Sequence, residues 1–219
     1  MIIAIDGPAG VGKSTVAKLL AARLGYLYLD TGALYRAIAW KILRRGIPPA
    51  DLEQVTTLLP STAIHMRFHD GAMQVLIDGL DVTGELRTPE VTATASLVSA
   101  IPAVREWLLP IQHRIARGGS VVAEGRDVGT KVFPTAPYKF FLEAEADVRV
   151  ARRHRELVAA GRGGTVETTS RDLSDRDRRD RTRSVDPLIP AGDARIIDTS
   201  ALSPDQVVEQ MIAVVSTSS

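Results

Sequence analysis

The sequence contains no cysteine among its 219 residues. Without thiols, the chain cannot build a disulfide framework, a cysteine-ligated zinc or iron–sulfur site, or a catalytic thiol. Long hydrophobic runs are also missing, since no stretch approaches the roughly 18 apolar residues that a membrane helix requires. The first residues show neither a basic segment nor a long apolar core, so we expect no secretory leader. These absences predict a cytoplasmic protein without a membrane partner.

Neither sign of charge dominates the sequence. The chain has 27 Lys and Arg against 26 Asp and Glu, a formal net charge of +1, and only 5% aromatic residues. A nucleic-acid surface needs clustered basic residues and, for single strands, aromatic platforms. We therefore expect no nucleic-acid partner. The length is compatible with one domain, or with one core that carries inserted lobes.

Short apolar stretches alternate with helical periodicity along most of the chain. Strands are predicted over 2–5, 26–29, 120–124, 138–142 and 195–197, and helices over 13–24, 33–45, 50–59, 89–99, 102–117, 146–160 and 204–215. This alternation predicts an α/β fold whose parallel sheet is flanked by helices. Pro110 lies inside one predicted helix and should kink or interrupt it.

Residues 63–86 depart from this pattern. The stretches 63–68 and 74–78 alternate loosely between apolar and polar residues, and His69-Asp70-Gly71 lies between them. Such spacing is typical of a β-hairpin. We therefore predict a small antiparallel insert that is separate from the main sheet.

One motif is specific enough to indicate chemistry. Gly7-Pro8-Ala9-Gly10-Val11-Gly12-Lys13-Ser14 matches G-x-x-x-x-G-K-[ST] between a predicted strand and a predicted helix, the context of a P-loop. Glycines let the backbone direct N–H groups at phosphate oxygens, and the helix amino terminus adds positive potential. Lys13 would contact the outer phosphates, and the Ser14 hydroxyl could ligate Mg²⁺. The predicted triphosphate-binding residues are Gly7, Pro8, Ala9, Gly10, Val11, Gly12, Lys13, Ser14 and Thr15.

A P-loop alone does not distinguish a kinase from a GTPase or a motor. The chain contains no asparagine, so it cannot carry the N-K-x-D sequence with which GTPases recognise their base. Its length also leaves few residues beyond the core for a mechanical ATPase. A small kinase is therefore the leading class.

Two further segments follow predicted strands and carry arginine. They are Asp30–Arg36 and Gly125–Thr130. Ligands of open α/β sheets bind beyond the carboxyl ends of the strands, so Arg36 and Arg126 are expected to share a cleft with the P-loop. The guanidinium fork matches phosphate oxygens, which indicates a second phosphate. The alternative is that Arg36 and Asp127 form ordinary surface ion pairs.

The most strongly charged segment is 171–183, with six arginines and four aspartates. Arg176, Asp180 and Arg183 would share one face of a helix. Such a run can be a solvated helix held by ion pairs. It follows the glycine-rich stretch 161–164, however, and phosphoryl transfer requires cations over the transferring group. We therefore favour a mobile lid that carries arginines.

Taken together, these segments resemble the bacterial cytidylate kinases, a family of nucleoside monophosphate kinases. The resemblance rests on the segments 5–14, 30–36, 125–130, 176–183, 187–188, 191–194 and 197–200, and on the insert. It implies Mg²⁺-ATP as the phosphoryl donor and CMP or dCMP as the acceptor. It also implies a single kinase domain with a core (about 1–30, 100–150 and 184–219), a monophosphate-binding lobe (about 31–99) and a lid (about 151–183).

The resemblance also implies roles for individual residues. Lys13, Arg126, Arg176 and Arg183 would be catalytic. Ser96, Arg105 and Asp127 would read cytosine, since a carboxylate can accept from its 4-amino group, whereas uracil offers a carbonyl there. The remaining implied acceptor contacts are Asp30, Thr31, Tyr35, Arg36 and Asp180.

Other functions stay open at this point. The chain could be a small P-loop kinase for a different monophosphate or for a small alcohol, or a regulatory ATP-binding module without transferase activity. Arg36, Arg126 and Arg183 argue against both alternatives, and against the module in particular, since an ATP sensor needs no second phosphate pocket. Because a lid and a lobe must both move, we expect a monomer.

Overall fold

A computed structural model describes residues 1–69 and 72–216. The chain divides into two compact units. The first unit comprises Met1–Tyr28 and the chain from Gly119 onward, and the second comprises Leu29–Gly118. Each has a hydrophobic core of its own. No helix in the described part of the chain is long and apolar enough to cross a membrane.

The order of elements follows the predicted alternation. The strands are β1 (Ile2–Asp6), β2 (Leu27–Asp30), β3 (Ile64–His69), β4 (Ala72–Ile77), β5 (Leu80–Asp81), β6 (Val121–Gly125), β7 (Tyr138–Glu143) and β8 (Arg195–Asp198). The helices are α1 (Lys13–Leu24), α2 (Thr31–Arg44), α3 (Leu52–Leu58), α4 (Pro89–Val98), α5 (Pro102–Ala116), α6 (Ala146–Ala159), α7 (Val166–Thr182) and α8 (Pro204–Ser216). Short 3₁₀ turns lie at Leu59–Ser61 and Thr83–Glu85, and a π-helical turn lies at Val128–Val132.

The larger sheet has the strand order β2-β6-β1-β7-β8. β1 pairs in parallel with β6 and β7, and β7 pairs in parallel with β8. Asp6, at the end of β1, lies opposite Gly125 at the end of β6. The P-loop and the Arg126–Asp127 segment therefore leave the sheet from neighbouring positions, at the carboxyl ends of two adjacent strands. The predicted parallel α/β fold is confirmed.

The core of the first unit lies between this sheet and the helices α1 and α8. Ile3, Ile5, Leu20, Phe140 and Met211 are almost entirely buried there. Each such side chain contributes about 1.5–3 kcal/mol through the apolar surface that it removes from water. Helix α1 ends at Gly25, whose left-handed backbone (φ 67°) lets its N–H reach the carbonyls of the last turn. This packing fixes the start of α1, and with it the P-loop lysine.

The second unit contains the predicted insert. β3, β4 and β5 form an antiparallel sheet in which Ile64 lies opposite Ile77. The hairpin prediction is confirmed, although its turn at Asp70-Gly71 lies outside the described residues. The sequence did not predict the two-residue strand β5. Helix α2 packs on α4 and α5 and buries Leu34, Ile38 and Ile42.

Pro110 does not interrupt α5, which runs unbroken from Pro102 to Ala116, so the predicted interruption is wrong and the predicted kink stays a prediction. Pro110 lies on the exposed side of the helix, while Leu108 and Ile111 are anchored in the core. Helix α3 is also shorter than predicted, because Asp51 caps it by accepting a hydrogen bond from the Gln54 backbone N–H. The stretch 100–118, assigned above to the core, belongs to the second compact unit. The division into core, lobe and lid stays a prediction, since it names parts that move as separate bodies, whereas the two units are defined by packing alone.

Candidate active site

The loop between β1 and α1 has the backbone that its glycines predict. Gly7, Gly10 and Gly12 have φ values of 148°, 79° and 96°, in a region that other residues rarely occupy. A Cβ at Gly7 would also collide with the backbone oxygen of Leu142. Glycine is therefore required at position 7 for both conformation and space.

Lys13 is the first residue of α1 and is only 5% exposed. Its Nζ donates to the backbone oxygen of Pro8 at 2.7 Å. The pKa of Lys13 is lowered to about 7. Burial is the largest cause, the positive charges of Arg126 and Arg176 act in the same direction, and Glu124 opposes them. The ammonium thus lies where positive charge is concentrated, an arrangement that favours binding of an anion.

Glu124, near the end of β6, is a site residue that the sequence did not reveal. Its carboxylate accepts a hydrogen bond from the Ser14 hydroxyl and another from the Tyr28 hydroxyl, the latter at 2.9 Å. It is 4% exposed. Glu124 ends the predicted strand 120–124, and ligands of open α/β sheets bind beyond such ends, but only the pairing of β6 with β1 places it beside the P-loop.

Asp6 links the end of β1 to the segment that follows Arg126. Its carboxylate accepts hydrogen bonds from the backbone N–H groups of Val128 at 2.8 Å and Gly129 at 2.7 Å. Burial raises the pKa of Asp6 to about 6, although these two hydrogen bonds work in the opposite direction. Asp6 therefore fixes the backbone directly after Arg126 and Asp127.

Arg126 and Asp180 form a largely buried ion pair. The Arg126 Nε lies 2.9 Å from the Asp180 Oδ2. Burial alone would raise the pKa of Asp180, but the charges of Arg126 and Arg176 outweigh it and the pKa is lowered. Asp180 is therefore a carboxylate that orients arginines. Arg176 and Asp180 both lie in α7, but Arg183 follows the helix with extended backbone, so the helical face predicted for all three does not include Arg183.

A second pair joins the end of α7 to the loop after β6. Arg183 Nη2 lies 3.5 Å from Asp127 Oδ1, and both side chains are buried. The Arg183 Nε donates to the backbone oxygen of Asp186 at 2.7 Å. Asp127 is therefore not part of a surface ion pair. In contrast, Arg178 and Asp175, on the same helix, form an exposed pair of the kind expected for a solvated charge run.

The second unit carries its own cluster of predicted acceptor residues. Asp30 caps α2 through the Ala33 N–H and pairs with Arg36 at 2.6 Å and with Arg87 at 3.1 Å. Burial would raise the pKa of Asp30, but the two arginines outweigh it and lower it. Thr31, the first residue of α2, is buried. Arg87 was not predicted, since it lies outside every motif.

Arg105 and Tyr35 also come together in the second unit. The Arg105 guanidinium lies 5.7 Å from the centre of the Tyr35 ring, and its Nη1 donates to the backbone oxygen of Ser99 at 3.1 Å. Ser96, on α4, is 5% exposed, and its hydroxyl has no hydrogen-bond partner among residues 1–69 and 72–216. These are groups that can donate to a ligand.

The predicted site residues thus fall into two sets. The second unit holds Asp30, Thr31, Tyr35, Arg36, Ser96 and Arg105, and the first unit holds the P-loop, Arg126, Asp127, Arg176, Asp180 and Arg183. Within the first unit, the carboxyl ends of β1 and β6 bring Lys13 and Arg126 together as expected. The cleft predicted to be shared by Arg36 and Arg126 stays a prediction, as do the individual roles.

A parallel α/β sheet with a P-loop after its central strand places the chain among the P-loop proteins. A solved structure of an uncharacterized protein from Eubacterium ventriosum shares the fold, with a TM-score of 0.54 and 13% identity over 99% of this chain and 98% of that one.

Comparison of sequences identifies the family. The family model for cytidylate kinase matches residues 3–217. The chain is 47% identical over 215 residues to the cytidylate kinase of Pelotomaculum thermopropionicum, which covers 98% of this chain and 95% of that protein. It is 46% identical over 211 residues to the cytidylate kinase of Desulfitobacterium hafniense, covering 96% and 90%. The chain therefore belongs to the cytidylate kinase family, and the predicted resemblance is confirmed.

Proposed function

We propose that this protein transfers the γ-phosphoryl group of ATP to CMP or dCMP, giving ADP and CDP or dCDP. The observation that carries the proposal is the concentration of cations at the P-loop. Arg126 and Arg176 lie close enough to the buried Lys13 for their positive charges to lower its pKa. The ion pair with Asp180 holds Arg126 in place. Two sets of phosphate oxygens must approach each other during transfer, and their repulsion has to be offset.

The acceptor of such a reaction is already an anionic phosphate, so no strong general base is needed. Catalysis then rests on positioning and on charge stabilisation. Lys13 and the N–H groups of the P-loop hold the donor phosphates. Arg126, Arg176 and Arg183 contact the transferring group and the acceptor phosphate.

The residues beside the loop fit Mg²⁺ as the accompanying ion. Mg²⁺ prefers oxygen ligands and keeps several waters and phosphate oxygens in its shell. The oxygens of the Ser14 hydroxyl and the Glu124 carboxylate, which are joined by a hydrogen bond, are suitable ligands for Mg²⁺. Among residues 1–69 and 72–216 no group of three His, Asp or Glu side chains could hold a metal, so the nucleotide would supply the other ligands. When bound, Mg²⁺ would neutralise charge on the donor phosphates.

The proposal assigns acceptor recognition to both sets of residues. Asp30, Thr31, Tyr35 and Arg36 contact the acceptor phosphate region. Asp127 accepts a hydrogen bond from the cytosine 4-amino group, Arg105 donates to the O2/N3 edge, and the Ser96 hydroxyl offers a further contact. Asp180 and Arg176 contact the ribose or phosphate. Closure of the lobe and the lid excludes water as a competing acceptor.

The first experiment measures ADP formation from Mg²⁺-ATP with CMP, dCMP, UMP, AMP, GMP or dTMP, each supplied separately, and without an acceptor. Fast turnover confined to CMP and dCMP is expected. Preference for another monophosphate would retain the kinase but remove the proposed base readers. Equal ADP formation without any acceptor would indicate an ATPase, and ATP binding without turnover would indicate a regulatory module.

Asp127 provides a test of base recognition. We expect Asp127→Ala to reduce the CMP:UMP ratio of kcat/KM by about tenfold or more, since one directed hydrogen bond to a base edge contributes roughly that much discrimination. The KM for ATP should change much less. Steady-state kinetics with both acceptors measures the ratio, and an unchanged CMP:UMP preference would remove Asp127 from base reading.

The depressed pKa of Lys13 predicts a pH dependence. Because the pKa is about 7 in the free protein, most Lys13 side chains are neutral at pH 8. The negative charge of the donor phosphates favours the ammonium form of Lys13, so ATP binding at pH 8 should be accompanied by uptake of about one proton. For the same reason, the affinity for ATP should fall as the pH rises above 7. Calorimetry in two buffers of different protonation enthalpy measures this uptake. It should be absent in Lys13→Met and at pH values well below 7.

We also propose that the protein is a cytoplasmic monomer whose ligands are small nucleotides. Two segments that both move during turnover leave little fixed surface for a partner subunit. Sedimentation at the concentrations used for kinetics tests the monomer. A stable dimer there would overturn it.

A further inference from the structure

The backbone of Ala9 in the P-loop is hydrogen-bonded through both its N–H and its carbonyl to side chains of other elements. The Ala9 N–H donates to Asp177 Oδ1 of α7 at 3.2 Å. The Ala9 carbonyl accepts from Arg149 Nη1 of α6 at 3.1 Å. Arg149 and Asp177 also form an ion pair with each other. The three groups close a ring of contacts, and neither side chain is among the residues with a role so far.

This arrangement is buried and anchored. Asp177 is 8% exposed and Ala9 is 6% exposed. Arg149 also donates from Nε to the backbone oxygen of Ala144, just beyond β7, at 3.2 Å. A Cβ at Gly10 would lie 3.0 Å from the Arg149 backbone oxygen, so the backbone of α6 lies directly against the loop. The first turn of α6 and one face of α7 therefore both pack on the phosphate-binding backbone.

We propose that Asp177 and Arg149 are positioning residues for the phosphoryl donor. They fix the P-loop backbone at Ala9 and tie that conformation to the packing of α6 and α7. The inference rests on the proposed function, because it concerns the same donor site. A P-loop binds phosphate through backbone N–H groups whose directions must be set in advance, so the side chains that hold an adjacent peptide influence donor affinity.

The ion pair also keeps the negative charge of Asp177 from weakening phosphate binding at the P-loop. A carboxylate beside the loop would repel the donor phosphates, and Arg149 offsets that charge. Losing Arg149 leaves Asp177 buried and without this cation, which is more damaging than losing both charges. Asp177→Asn, by contrast, keeps an oxygen that can still accept from the Ala9 N–H.

The test compares Arg149→Met, Asp177→Asn and the double variant by their KM for ATP and for CMP. Arg149→Met should raise the KM for ATP by about tenfold or more, as expected for a lost charged hydrogen bond, and Asp177→Asn should raise it less. The double variant should recover most of the ATP affinity that Arg149→Met loses. The KM for CMP should stay within about twofold, because the acceptor contacts are not altered.

Asp172→Asn is the matched control, since it removes the same charge from an exposed position of α7. It should leave both KM values unchanged. Equal rises in the KM for ATP and for CMP, or a double variant no better than Arg149→Met, would overturn the proposal. If Arg149→Met does not fold, Arg149→Lys takes its place, because lysine keeps the charge but lacks the separate nitrogen through which Arg149 bonds to Ala144 while Nη1 contacts Ala9 and Asp177. Calorimetry measures the ATP affinity of the same variants without any acceptor. It therefore tests the roles of Arg149 and Asp177 even if CMP proves not to be the acceptor.

Discussion

Replacing Lys13 with methionine is expected to lower the turnover of CMP by about a hundredfold to a thousandfold, the loss typical of removing one preorganised charge from a transition state. Lys13 is the cation closest in sequence to the loop N–H groups, and Arg126 and Arg176 do not occupy its position at the start of α1. Initial rates at saturating ATP and CMP measure the effect.

The same variant should not lose stability. Burial lowers the pKa of Lys13, so the folded free protein holds its ammonium at a cost, and methionine fills a similar volume without one. The melting temperature should therefore equal or exceed that of the parent protein near pH 6. Lys18→Met removes an exposed lysine of the same helix and should keep normal turnover. Near-normal turnover in Lys13→Met would contradict the assignment of Lys13 to the donor phosphates.

The elements that sequence could predict are those encoded by neighbouring residues. The apolar run 2–5, the glycines of the P-loop and the helical period after Lys13 lie within one continuous stretch, and all three were confirmed. The alternation in 63–78 predicted the hairpin for the same reason, because side chains of a strand point to opposite faces with a period of two. The predicted interruption of α5 at Pro110 does not occur, since core packing of the helix outweighs the local preference of proline.

The supporting residues of the site could not be predicted in this way. Ala9 and Asp177 are 168 positions apart, and Ser14 and Glu124 are 110 apart. The spacing in the charge run placed Asp180 on one helical face with Arg176, but nothing local distinguishes buried Asp177 from exposed Asp172. That difference arises only when α7 packs on the loop. Single charged residues outside motifs, such as Arg87, give no signal until the fold brings them to a partner.

Arg126→Met is expected to lower CMP turnover by about a hundredfold to a thousandfold, with a smaller effect on the KM for ATP. Arg126 lies directly after β6, and its side chain is held by Asp180 and close enough to influence Lys13. A guanidinium in this position can offset charge that develops between donor and acceptor phosphates. Steady-state kinetics with both substrates varied separates the loss in kcat from a loss in binding.

Arg126→Met also removes a cation from buried Asp180, and this second effect must be separated from the first. In the double variant with Asp180→Asn, no carboxylate is left without Arg126, so any purely structural defect should be relieved. We expect the melting temperature to recover in the double variant while turnover stays well below that of Asp180→Asn alone, the reference required because Asp180 is itself a proposed acceptor contact. Arg178→Met, which removes an exposed arginine from α7, should retain normal turnover and shows that loss of positive charge alone is not the cause. Recovery of turnover in the double variant would instead mean that Arg126 acts only by neutralising Asp180.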